Sequence, residues 1–203
     1  MHLKKLFDLQ HQTPPAFRGF WFKDYNPLSG HLKIRFISDP NTSMRVIHAG
    51  LIKYLRSLRI PMPSSTSCRP KSSALNNVRK HIGSRHFYVL DLKNAYGSVR
   101  LETLAEILHS FDLENELDVT KEFLKMFAIN KSGVGLVVGA PASPDLFNLY
   151  GEVMMDRQLR EIASRYYLIY TRYLDDLTFS SKWPIGEEKR REIRTVIIIK
   201  QYG

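Results

Sequence analysis

Tyr173-Leu174-Asp175-Asp176 sets two carboxylates side by side between apolar and aromatic runs, Tyr166 to Tyr170 before it and Leu177 to Phe179 after it. Two strands joined by a tight turn read this way, with the acids at the tip. Adjacent carboxylates repel, and near a buried hairpin that repulsion is costly unless something offsets it. A divalent cation offsets it. Mg²⁺ prefers carboxylate oxygens and keeps positions open for substrate phosphates. A solvated Asp-Asp turn fits the same four residues. A third carboxylate, Asp91, ends the apolar run Phe87-Tyr88-Val89-Leu90. Enzymes often place catalytic groups at a strand's end beside a loop, although a lone Asp there also serves as a turn former. If the two strands are sheet neighbours, three carboxylates converge. Such a cluster suits two divalent ions about 3.5–4 Å apart. One would activate an attacking 3′-hydroxyl, and the other would hold a triphosphate and its leaving pyrophosphate.

The remaining chain must position these acids. Its 203 residues are 43% apolar, enough for one good-sized domain or a domain with a small lobe. Thirty Lys and Arg against twenty Asp and Glu give a net charge of +10, which favours an anionic partner such as nucleic acid. A single cysteine, Cys68, excludes a disulfide framework and a cysteine-based zinc site. It fits a reducing cytosol, so a cytoplasmic location is expected. No apolar run approaches the ~20 residues of a membrane span, and the N-terminus lacks the apolar stretch of a signal peptide.

Residues 1–30, with Pro14, Pro15 and Pro27, read as irregular, a short helix or arm followed by loop. Their aromatics Phe17, Phe20, Trp21, Phe22 and Tyr25 either stack on bases or pack on a neighbouring lobe. From His31 to His48 the pattern predicts a hairpin. Leu32, Ile34 and Phe36 alternate with Lys33 and Arg35, the turn falls at Asp39 to Ser43, and Met44 to Ile47 return. Arg45 on this unit is a candidate clamp for a triphosphate, or an ordinary solvated arginine. A helix follows to Leu58, then a Pro/Ser-rich loop over 59–71 ending in Arg69, Pro70 and Lys71. Ser72 is the expected cap of a helix to about Ile82, closed by Gly83. Asn76, Arg79 and Lys80 would form its polar face. Beyond the Asp91 strand, a turn over Asn94 to Gly97 leads to a helix capped by Ser98. Another helix is predicted over 118–128. Gly133 to Pro141 form a glycine-rich loop without the Gly-Lys-Ser/Thr ending of a P-loop. Ser143 caps and Pro144 opens a helix to about Ser164. A last amphipathic helix spans Glu187 to Tyr202, with Gly203 as terminator.

Three segments, taken together and in order, resemble bacterial reverse transcriptases of the retron and group II intron type. They are Asp91-Leu92-Lys93-Asn94-Ala95-Tyr96-Gly97-Ser98-Val99, Gly139-Ala140-Pro141-Ala142-Ser143-Pro144 with Asn148, and Tyr173-Leu174-Asp175-Asp176-Leu177-Thr178-Phe179-Ser180. The likeness runs from about residue 31 to the end. It implies an α+β right-hand polymerase with an antiparallel palm sheet backed by helices and a fingers lobe. It divides the chain into an arm over 1–30, fingers over 31–85, and a palm with part of the fingers inserted over 86–203. It implies RNA-directed DNA synthesis from a DNA or RNA primer on an RNA template, with dNTPs and two Mg²⁺ ions, Mn²⁺ being the substitute. Asp91, Asp175 and Asp176 fall on the catalytic metal ligands, with Leu92 beside them. Arg45, Lys93, Asn94, Ala95, Tyr96 and Gly139 fall on nucleotide-binding positions, Tyr96 being the aromatic that excludes a 2′-hydroxyl. Ala140, Pro141, Ser143, Asn148 and Tyr173 fall on template or primer positions.

The chain departs from the family at several points. Ser38-Asp39 stand where a fingers lysine is usual, Val137-Val138 replace Pro-Gln, and Leu174 is bulkier than the usual alanine. The family also continues into a helical thumb, so the chain is expected to be a fragment or to be completed by a second polypeptide. Three alternatives stay open: a defence- or CRISPR-associated relative with untemplated or partner-dependent synthesis, a nucleic-acid-binding module with an impaired site, and an RNA polymerase.

Overall fold

The computed structural model describes residues 3–7, 13–25, 32–68 and 72–202. The loop around Pro27, the stretch Arg69 to Lys71 and the terminator Gly203 lie outside them. The chain divides into two compact units, Met1–Arg59 with Val99–Ser143, and Ile60–Ser98 with Pro144–Gly203.

The first unit carries a short helix α1 (Lys4–Phe7), strands β1 (Phe17–Tyr25) and β2 (Leu32–Pro40), and helix α2 (Thr42–Ser57). β1 and β2 pair antiparallel from Phe17↔Pro40 to Tyr25↔Leu32. This corrects two expectations. Residues 17–25 are a strand, not a loop, and the partner of β2 precedes it in sequence. Met44 to Ile47 are the first turns of α2, not a returning strand. The side chain of Asn41 decides this, because its Oδ1 accepts the Met44 N–H at 2.9 Å and starts a helix. Met44, Ile47, Leu51, Tyr54 and Leu55 then recur at helical spacing and are all buried. The aromatics of β1 stay largely exposed, and Trp21 meets Phe36 edge-on at 5.2 Å.

Helices α4 (Leu101–Phe111) and α5 (Leu117–Phe127) complete this unit, α4 beginning at Leu101 behind Arg100 and not at Ser98. Leu51, Leu104, Leu108, Phe123 and Leu124 form its core. Tyr54 donates its hydroxyl to Asp112 at 2.9 Å. The glycine-rich loop is tied to β2, where the Ser38 N–H donates to the Val138 carbonyl at 2.8 Å. Gly139 sits there at φ 100°, and a Cβ would lie 2.7 Å from the Ser38 carbonyl oxygen, so only glycine fits.

In the second unit, α3 (Ala74–Arg79) is capped by Ser73, one residue later than expected. Strands β3 (His86–Asp91), β4 (Ile169–Tyr173) and β5 (Asp176–Ser181) form an antiparallel sheet in the order β3-β5-β4. Leu177 and Phe179 on the central strand are fully buried, and Tyr170 stacks on Phe179 at 4.6 Å. The predicted helix from Ser143 is α6 (Ser143–Gly151), a wider π-helical stretch over Glu152–Asp156, and α7 (Arg157–Arg165) without a break. Helix α8 (Glu187–Tyr202) ends the described chain. The architecture is α+β with antiparallel sheets and backing helices, of the palm-and-fingers kind. No helix among the described residues is long and apolar enough to cross a membrane.

Candidate active site

β3 and β5 run side by side, so Asp91 stands directly opposite Asp176. Paired positions put their side chains on one face with Cβ atoms about 5 Å apart. The Leu92 N–H donates to the Asp175 carbonyl at 3.0 Å, which ties the end of β3 to the β4–β5 turn. Asp175 and Leu174 are that turn, closed by the pair Tyr173↔Asp176. All three acids therefore come to one end of one sheet. Asp91 and Asp176 are exposed and Asp175 is half-buried, so water hydrates them and the burial cost expected from the sequence is not incurred. Their shared face also carries Phe87 and Val89, 51% and 59% exposed.

The donor chemistry fits a hard divalent cation: carboxylate oxygens on facing strand positions, with one more on the adjoining turn. Among the described residues, no three His, Cys, Asp or Glu side chains group closely enough to hold a metal ion.

Behind Asp91 the chain turns through Asn94, whose φ of 53° Asn tolerates, into a single 3₁₀ turn over Tyr96–Ser98. Leu92 and Ala95 are buried, while Lys93 and Asn94 are exposed. Ser98, expected to cap the next helix, instead donates its hydroxyl to the Ala95 carbonyl at 2.8 Å. The Tyr96 ring packs against Phe147 at 5.2 Å. Burial raises its phenol well above the usual range, and the nearby Cys68 and Asp175 add to the effect.

Arg45 and Gly139 lie in the first unit, at the start of α2 and beside β2. Arg45 is exposed. Its Nη2 donates to Asp39 at 2.5 Å and its Nε to the Pro40 carbonyl at 3.0 Å. Asp39, standing where a lysine is usual, is thus the partner of Arg45. Ala140 and Ser143 are buried, and Ser143 donates to the Val137 carbonyl at 2.7 Å. Pro141 and Tyr173 are partly exposed. Asn148 is 1% exposed, and its side-chain amide donates to the Ser67 carbonyl at 3.0 Å.

Sequence reasoning missed what holds Asn148. Arg172, in β4, is fully buried with its guanidinium bonded to Asp156 at 2.9–3.0 Å. It also donates to the Asn148 side chain and carbonyl, both at 3.2 Å, and sits 5.4 Å over the Phe147 ring. Tyr170 adds a 2.6 Å hydrogen bond to Asp156. Gly151 makes room: a Cβ there would lie 2.8 Å from the guanidinium carbon. An arginine inside an aromatic strand was the available signal.

Residues 27–197 match the family described as reverse transcriptase (RNA-dependent DNA polymerase). Among curated proteins, the chain is 27% identical over 181 residues to the retron Ec83 reverse transcriptase of Escherichia coli, covering 86% of this chain and 56% of that one. It is 28% identical over 150 residues to the retron Ec86 reverse transcriptase of Escherichia coli, covering 74% and 45%. It is 28% identical over 160 residues to the retron Mx65 reverse transcriptase of Myxococcus xanthus, covering 72% and 37%. The chain thus spans about half the length, or less, of these relatives. Among solved structures, the fold resembles telomerase from Candida albicans, with a TM-score of 0.53, 11% identity, and coverage of 91% of this chain and 40% of that one. It likewise resembles telomerase from Candida tropicalis, with a TM-score of 0.52, 12% identity, and coverage of 93% and 47%.

Proposed function

The chain belongs to the reverse transcriptase family, and from that premise we propose that it is the fingers-and-palm part of an RNA-directed DNA polymerase of the retron type. The observation that carries the reading is the pairing of Asp91 with Asp176, with Asp175 on the adjoining turn. Asp91, Asp175 and Asp176, with the Leu92 backbone, would hold two Mg²⁺ ions. Such ions lower the pKa of a primer 3′-hydroxyl and offset charge on the triphosphate and leaving pyrophosphate. The chain's own contribution is positioning. The amides of Lys93, Asn94 and Ala95 meet phosphate oxygens. The Tyr96 ring, held by Phe147, lies under the sugar and leaves no room for a 2′-hydroxyl. Residues 31–85 act as fingers, with Arg45 as the triphosphate clamp, and Gly139 to Pro141 keep the backbone close to a base pair. The partners are an RNA template, a DNA or RNA primer and dNTPs in the cytoplasm, with a thumb from further chain or a second polypeptide.

A second reading is a nucleic-acid-binding fragment without catalysis; among the described residues, no three His, Cys, Asp or Glu side chains group closely enough for a metal. Primer extension separates the two. The chain with Mg²⁺, dNTPs and a primed RNA is expected to add nucleotides in template order, and Asp175→Asn is expected to abolish this with folding intact. Addition that ignores the template favours an untemplated relative. Addition unchanged by Asp175→Asn removes the site assignment.

A further inference from the structure

Leu174 links strands β4 and β5 beside Asp175 and Asp176, and its backbone is held by side chains from within the hairpin and from outside it. Its carbonyl accepts Nη1 of Arg172 at 3.0 Å, and its N–H donates to Oγ of Ser67 at 3.2 Å. Its φ is 54°, a left-handed conformation that two-residue hairpin loops usually give to glycine. A leucine there needs partners to hold it.

The partners are themselves fixed. Ser67 is 1% exposed. Its carbonyl accepts Nδ2 of Asn148 at 3.0 Å, and its hydroxyl donates to Oδ1 of Asn148 at 3.4 Å. Segment 64–67, from the Pro/Ser-rich stretch read as a loop, lies along β4. The Arg172 N–H donates to the Ser64 carbonyl at 2.8 Å, and the Thr66 N–H donates to the Arg172 carbonyl at 2.9 Å. Arg172 is anchored on the other side by Asp156. Hence a buried arginine from β4 and a buried serine from segment 64–67 hold the carbonyl and the N–H of the one residue before the first acid of the turn.

We infer that Ser67 and Arg172 are positioning residues that clamp the Leu174 backbone and so set where the Asp175 and Asp176 carboxylates stand for a divalent cation; this rests on the polymerase reading for the cation's purpose. Neither touches the ion or the reacting atoms. Groups that orient metal ligands from behind typically change affinity by 10–100-fold when removed.

The test uses the full chain and Mn²⁺ alone, titrated by electron paramagnetic resonance, with amide hydrogen exchange at Leu174. Ser67→Ala is expected to weaken Mn²⁺ binding about tenfold and to speed Leu174 exchange, while the thermal midpoint stays near the parent's. Ser67→Thr restores the hydroxyl and is expected to bind Mn²⁺ as the parent does. Arg172→Lys keeps the charge but loses the forked geometry and is expected not to bind as the parent does. Parental Mn²⁺ affinity in Ser67→Ala, or a loss in Ser67→Thr equal to that in Ser67→Ala, overturns the clamp. Asp175→Asn separates the two readings. If it weakens Mn²⁺ binding and Ser67→Ala does not, the clamp alone falls. If it leaves Mn²⁺ binding unchanged, clamp and metal site fall together. If Ser67→Ala weakens binding, the clamp stands whether or not the chain extends a primer.

Discussion

Asp91, Asp175 and Asp176 carry one charge in three settings: a strand end, a half-buried turn and the first position of the central strand. Because Asp91 and Asp176 face each other across a register that the backbone fixes, neither can leave the site without unzipping β3 from β5. Tyr96 is placed differently, by one aromatic contact with Phe147. Removing the ring while leaving the acids alone therefore isolates sugar choice from catalysis. In the polymerase reading, Tyr96→Ala is expected to raise rNTP use relative to dNTP use by tenfold or more (about 1.4 kcal/mol of lost discrimination). Single-nucleotide addition on a primed RNA measures the ratio, and an unchanged ratio removes Tyr96 from the nucleotide site. At this scale the acids were legible because a carboxylate closing an apolar strand is conspicuous. Arg172 was not, because a lone arginine beside a tyrosine reads as a solvated strand residue, and its partner Asp156 lies on another element.

Among the elements, the long helix shows how one sequence interval serves two tasks. Asn148, Glu152, Asp156 and Arg160 are spaced by four, which in a regular α-helix drifts about 40° per step. The π-helical turn over Glu152–Asp156 widens the helix where that drift would otherwise separate the stripe. Asp156 and Asn148 both reach Arg172, while Glu152 takes Arg160 at 2.5 Å. Gly151 lies against the guanidinium, so Gly151→Ala forces a methyl into a locked, fully buried group. It is expected to destabilise the chain by about 1–3 kcal/mol, in the range of overpacking, as measured by denaturant unfolding. Parental stability in that variant would mean that Arg172 is not held as described. Strand β3 was legible as a short apolar run closed by Asp91, and helices α5 and α8 from apolar period, since each helix is long enough for one period to win. The stretch from His31 to His48 was not. Four residues, Met44 to Ile47, fit either period, and the Asn41 cap that settles the matter is a side-chain hydrogen bond that hydropathy does not register. The π turn was equally silent, because no Gly or Pro breaks that helix at Glu152–Asp156 and its cause lies in β4.

Over the whole molecule, charge and burial make the chain sensitive to two solution variables. The first is pH. His48 has no exposed surface, and burial lowers its pKa from 6.5 to about 4. The unfolded chain then binds a proton near pH 6.5 that the folded chain refuses until about pH 4. The stability is fully present above pH 6.5 and is lost as pH falls through that window, by up to about 3 kcal/mol. His81, lowered by its own burial, acts in the same direction. Unfolding midpoints measured from pH 7.5 to 5 are expected to fall, and His48→Gln is expected to flatten the slope. The second variable is salt. The chain carries a net charge of +10, although the proposed reaction needs three of its acids ionised and cation-bound, so the basic surplus calls for another anionic partner. A nucleic-acid duplex is the polyanion the polymerase reading supplies. Each phosphate neutralised releases counterions, giving a slope of about −0.9 per contact in the logarithm of affinity against that of salt. With about four contacts, raising salt from 50 to 200 mM weakens binding roughly a hundredfold. Fluorescence anisotropy of a labelled RNA–DNA duplex checks this. A slope near zero would mean that the basic surplus is spread as solvated surface and holds no duplex, whereas a steep slope retained by Asp175→Asn would separate the surface that grips nucleic acid from the acids that act on it.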